Sequence, residues 1–194
     1  MDAIVFADVT DPWAYVGATR FERAAATFTI ITGEPVEIVL RASLQEDRTA
    51  EDPEFLNARV TAAARKSGID LNFDDLVPAD SFDAWRLLTW AAEFGAATQR
   101  DLAHELWRAH FLEGADIADA FVLASRAALV GLDLETAEAL LASGEYGDEV
   151  RAQSDVAREI GAGNLPYVVV DAEHTMAGIH TQNDYVQALA SLHS

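Results

Sequence analysis

Hydrophobic positions along the chain follow two periods. Short apolar or alternating runs at AIVFA (3–7), VEIVL (36–40), PYVVVD (166–171) and HTMAGI (174–179) fit strands. The last two are joined by Asp-Ala-Glu (171–173), which reads as a hairpin turn. WAYVGATRFERAAATFTIIT (13–32) has helical spacing instead. It follows Asp11-Pro12, a favoured N-cap and a favoured first helical residue, and stops at Gly33 and Pro35.

From about Asp52 to about Gly161 the pattern is almost wholly helical, with candidate helices at 52–67, 82–95, 99–112, 116–130, 133–143 and 145–161. Gly68, Gly95, Gly114, Gly131 and Gly144 stand where helix C-caps are expected. Ser81 and the region of Asp116 supply candidate N-caps. TQNDYVQALASLH (181–193) closes the chain as an amphipathic helix, with Thr181 as its expected N-cap.

The order is therefore β-α-β, a helical block, then β-β-α. A β-α-β opening of this length implies a parallel pair with a right-handed crossover. No internal repeat and no Ser- or Gly-rich linker interrupts the chain, so the helical block reads as an insertion into one compact unit. Residues 1–45 and 162–194 would form that unit and 46–161 the insertion, its last helix packing back on the unit.

Composition narrows the function. At 194 residues and 51% hydrophobic the chain can bury a real core. The net charge of −20, from 13 basic and 33 acidic residues, disfavours nucleic acid and anionic membrane surfaces as partners. No apolar run is long enough to cross a bilayer, and MDAIVFAD lacks the basic start of a signal peptide, so a cytoplasmic location is expected. Cysteine is absent, which removes disulfides, thiolate nucleophiles and thiolate metal sites. The five histidines show no metal-ligand spacing, so no metal is expected.

DVTDPWAYVGATRFERA (8–24) resembles the opening of the DsbA-like thioredoxin-fold oxidoreductases of the FrnE branch, where a strand runs into Cys-Pro-Trp-Cys-Tyr-x-Gly. Pro12, Trp13, Tyr15, Gly17, Arg20 and Phe21 carry the match. FDAWRLLTWAAEFG resembles that branch's mid-chain helix, with Trp85-Arg86-Leu87 where His-Arg-Leu is usual. HFLEGADIAD, GNLPYVVVD and AGI are similar to its later segments, in the right order over essentially the whole chain. The resemblance implies an α/β fold, thioredoxin-like with a large all-helical insertion. The wider superfamily includes kappa-class glutathione transferases and 2-hydroxychromene-2-carboxylate isomerases.

The departures fall at the site. Asp11 and Ala14 stand where the family has its cysteines, Asn164 replaces a Gly, and His180 replaces a Gln. Thiol–disulfide exchange needs a protein thiolate, so that activity is excluded. A carboxylate at Asp11 satisfies the same helix N-terminus that would hold a thiolate. It reads either as an ordinary N-cap or as an acid/base or substrate-orienting group.

His110 is the histidine singled out for acid–base work. By resemblance, Trp13, Tyr15, Trp85, Asn164, Leu165, Pro166 and His180 would line the substrate groove, with Pro166 matching the family's cis-proline. The leading expectation is a cytoplasmic enzyme acting on a small organic molecule by isomerisation, cyclisation or elimination, in a setting such as secondary metabolism. No cofactor is required, while a low-molecular-weight thiol, glutathione or mycothiol, fits as a cosubstrate. Homodimers are common among such relatives and are expected here. The competing expectation is a non-catalytic binding protein that keeps the groove and has lost the chemistry.

Overall fold

A computed structural model describes residues 1–45 and 53–193. Strand β1 (Asp2–Ala7) leads through Asp11 into α1 (Pro12–Thr32), and β2 (Glu37–Ala42) follows. Then come α2 (Pro53–Arg65), α3 (Phe82–Ala91), a 3-10 turn (Ala92–Phe94), α4 (Ala96–Phe111), α5 (Ala120–Leu129), α6 (Leu134–Ala142) and α7 (Gly147–Glu159). The hairpin β3 (Tyr167–Val170) and β4 (His174–Ala177) and the closing helix α8 (Gln182–Leu192) complete the chain. The start expected for the second helix at Asp52, and the unit boundary expected between 45 and 46, touch residues outside those described.

The strands form one mixed sheet in the order β2-β1-β3-β4. β1 and β2 run parallel, with Val5 opposite Leu40, and β1 and β3 antiparallel, with Val5 opposite Val168. This register puts Ala3, Val5, Ala7, Ile38, Leu40, Val168 and Val170 on one buried face, in the main core that α1 and α8 share. The other face carries Phe6, packed with Ala157 and Ala162 from the α7 region. A fold of this order and composition is thioredoxin-like α/β with added helices.

β2 is an edge strand, and an open edge leaves backbone groups unpaired. Side chains from the helical block close it. Gln99, on α4, accepts from Leu40 N at 2.9 Å and donates to Leu40 O at 3.0 Å. Arg100 donates to Ile38 O, while Gln153 and Ser154 on α7 accept from Ala42 N and Leu44 N. Arg86 plays a similar part within the block. Its guanidinium donates to the carbonyls of Leu140, Ser143 and Glu145, closing the end of α6.

Three local expectations are refined or corrected. Ser81 holds the expected N-cap position of α3 but makes no side-chain cap bond, and Asp80 accepts from Phe82 N. The cap of α5 is Asp119, which accepts from Val122 N, rather than Asp116, which accepts from Ala118 N in the turn before it. α6 ends on an extended Ser143, so Gly144 is not its left-handed cap, whereas Gly33 caps α1 with φ 78°.

Candidate active site

Parallel strands leave a crevice beyond their carboxyl ends, and side chains emerging there can meet a ligand. Beyond β1 and β2 lies an open cleft of about 840 Å³. Asp8, Thr10 and Pro12 line it from the β1–α1 connection, and Leu44 and Gln45 from the exit of β2. Leu56 and Asn57 on α2, Phe73, Leu76 and Phe82 before and at α3, and His110 and Phe111 on α4 form further walls. α7 contributes Arg151, Ser154, Asp155 and Arg158, an i, i+3, i+4, i+7 stripe that puts them on one helix face.

Asp8 anchors the strand end of this cleft. Only 2% exposed, its Oδ1 accepts from both Thr10 N and Thr10 Oγ1 at 3.0 Å, and its Oδ2 from Gln45 N at 3.0 Å. Three accepted hydrogen bonds compensate the burial of the carboxylate and tie the ends of β1 and β2 together. Asp8 was not among the expected site residues. Its one sequence signal is an acidic residue at the end of an apolar strand.

His110, in the last turn of α4, is also 2% exposed and reaches the cleft with its ring centroid 4.6 Å from that of Phe111. Asp11 behaves as a helix cap: Oδ1 accepts from Trp13 N at 2.7 Å and Ala14 N at 3.1 Å. Asp11 is half-buried and is not among the residues lining the cleft, although its neighbour Pro12 is.

The aromatic residues divide. Trp13 is half-buried beside the guanidinium of Arg59, which stands 5.8 Å from its ring and 5.6 Å from that of Phe55. Tyr15 is stacked on Trp107 at 5.2 Å and on Phe111 at 6.1 Å, and burial pushes its hydroxyl above the usual tyrosine range, against the pull of Arg23 and Arg108. Trp85 is completely buried, and its indole N–H has no acceptor among the described residues. Neither Tyr15 nor Trp85, both candidates for the substrate groove, is among the residues lining the cleft. The physical reason is that both rings pack into the main core.

The Leu165–Pro166 bond is cis, and Pro166 lies against Gly17 of α1. Leu165 is buried. Asn164 is exposed, its amide packed over Gly178, whose N–H donates to the carbonyls of Asn164 and Pro166 at 2.9 Å each. His180 is half-exposed, with Nε2 3.2 Å from Ala177 O and its own carbonyl accepting from Arg20. Asn164, Leu165, Pro166 and His180 thus gather around β3, β4 and α1, outside the lining of the large cleft. Of the expected residues, only His110 lines that cleft. Among the described residues no group of three or more His, Asp or Glu is arranged to hold a metal ion.

A family model described as a DSBA-like thioredoxin domain matches residues 3–190. Among solved structures, a probable DsbA oxidoreductase from Streptomyces coelicolor is 29% identical, with 98% of this chain and 89% of that chain covered and a TM-score of 0.85. The cytosolic disulfide reductase DsbM from Pseudomonas aeruginosa is 18% identical over 99% of this chain and 98% of its own, TM-score 0.72. A 2-hydroxychromene-2-carboxylate isomerase is 17% identical over 100% of this chain and 94% of its own, TM-score 0.70. No protein with a curated description matches.

Proposed function

We propose that this chain, which belongs to the DSBA-like thioredoxin domain family, is a non-redox member that converts a small organic molecule in the cleft beyond β1 and β2. The observation that carries this reading is the cleft itself. It joins apolar and aromatic walls to the buried, polar His110 and Asp8, the composition expected of a small-molecule site. The chain has no cysteine, so it cannot exchange disulfides through a thiolate of its own.

The reaction is a proton-transfer or rearrangement step: isomerisation, cyclisation or elimination. His110 moves the proton, since imidazole can act as acid and base near neutral pH. Asp8 fixes the strand end from which Thr10 and Gln45 face the substrate. The isomerase named among the structural neighbours supports this reaction class by analogy of fold.

A low-molecular-weight thiol, glutathione or mycothiol, is proposed as an optional cosubstrate. Among the described residues neither the N–H nor the C=O of Leu165 is hydrogen-bonded to protein, which leaves that backbone edge for an extended ligand. We also propose a cytoplasmic homodimer with a biosynthetic role. The neighbour named as cytosolic supports the location.

A second reading, a binding protein without catalysis, draws on Asp11. Its carboxylate accepts two cap bonds and so has the role of an ordinary N-cap.

Thermal-shift screening of aromatic metabolites, glutathione and mycothiol, followed by turnover assays on each hit, tests the proposal. A hit that is converted by the protein and not by His110→Gln supports the enzyme; hits bound but never converted favour the second reading. No hit at all overturns the cleft as a ligand site.

A further inference from the structure

The wall of the cleft on α7 holds a feature that the proton-transfer reading leaves unused. The guanidinium of Arg151 lies 4.8 Å from the ring centroid of Phe82, and both residues line the cleft. An arginine stacked on an aromatic face spends its plane on the ring and keeps its edge of N–H donors for a carboxylate fork.

The backbone beside the stack is close-packed. Gly147, four residues earlier and the first residue of α7, is buried and does not have a positive φ, so its backbone does not demand glycine. Space does. A Cβ there would stand 3.3 Å from Arg151 Nη1 and 3.5 Å from Phe82 Cζ.

The charges around Arg151 leave it the cation best placed for a ligand. Its ion-pair partner, Asp148 at 3.1 Å, is fully exposed and outside the cleft lining. Such a pair contributes little and yields readily to a better anion. Arg158, the other lining arginine, is paired in the same exposed way with Asp155 at 2.7 Å, but that carboxylate itself lines the cleft and opposes an anion there, while Asp80 accepts from Phe82 N and Asp8 from Thr10 and Gln45. With a net charge of −20 the chain repels anions at long range, so an acidic ligand would need a local cation to hold it. Phe73, Phe82 and Phe111 offer flat apolar walls beside that cation.

We propose that the cleft takes an aromatic organic acid, its ring system between the phenylalanine walls and its carboxylate on the edge of Arg151. This rests on the cleft being the ligand site proposed above.

Isothermal titration with 2-naphthoate and its neutral isostere 2-naphthamide tests the pair directly. The acid is expected to bind at least tenfold more tightly than the amide, and added salt to weaken only the acid. Arg151→Gln should abolish that preference while leaving amide affinity unchanged. Arg65→Gln, which removes the same charge from outside the cleft lining, should keep it. Equal binding of acid and amide, or a preference that survives Arg151→Gln, overturns this inference and leaves the cleft reading standing. Binding of neither compound overturns both.

Discussion

Gly17 and Pro166 meet so closely that a Cβ on Gly17 would lie 2.4 Å from Pro166 Cγ and 2.5 Å from Cδ. This contact seats the turn before β3 against the second turn of α1, and with it the position of Leu165 and Asn164 beside the helix. Gly17→Ala should therefore destabilise the fold by about 1–3 kcal/mol through overpacking. Urea unfolding measures it, and a change below about 0.5 kcal/mol would mean that the two elements part without strain.

Two aspartates three residues apart should behave differently. Asp8→Ala removes the acceptor for Thr10 N–H and Gln45 N–H in a buried setting, at a cost of roughly 2–3 kcal/mol. Asp11→Ala removes an N-cap, about 1 kcal/mol. Ligand affinity should fall with the first substitution and survive the second, because Asp8 and not Asp11 lines the cleft. Paired denaturation and binding curves decide it; equal effects would refute the distinction.

Gln99 holds both backbone groups of Leu40 from across the α4–β2 contact. Gln99→Leu should cost roughly 2–4 kcal/mol, since it strands a buried N–H and a buried C=O together. Hydrogen exchange at Leu40 should accelerate well beyond that at Val168 on the inner strand. Unchanged exchange at Leu40 would show that the edge is protected by other means.

Alkaline stability follows from two tyrosines. Burial pushes the hydroxyls of Tyr146 and Tyr185 up to about 12, and Tyr146 is held further by its hydrogen bond to Glu93. In the unfolded chain tyrosine ionises near ~10. The folded values are the raised ones, so this contribution is whole below about pH 10 and is lost as pH climbs from there towards about 12. Urea midpoints should fall between about pH 10 and about pH 12, and Tyr185→Phe should reduce the slope. A midpoint that stays level in the wild type over that range would contradict the assignment.

The fold was legible because its signals are local. Apolar strands, Asp11-Pro12, the glycine stops and Thr181 all act within a few residues, and the strand and helix positions followed from them. The cap near Asp116 misled because Asp119 makes the better hydrogen bond, while Ser81 is the N-cap residue of α3 but leaves the side-chain bond to Asp80. The cleft was far less legible. Trp85 and Tyr15 sit at positions that match the family's groove, yet helical periodicity alone fits a core ring as well as a pocket ring. Arg151 and Phe82 are brought together from separate helices, and nothing in the local pattern of either foretells the stack. Asp8 gains its role from Gln45, which lies beyond the intervening helix and strand.

The most direct test of the account is a crystal structure of the protein soaked with 2-naphthoate. The ring is expected between Phe82 and Phe111, with its carboxylate on Arg151 and one edge within reach of His110. Density for the ligand elsewhere, such as on the Trp13–Arg59 face, or a cleft left empty at saturating ligand, would contradict it.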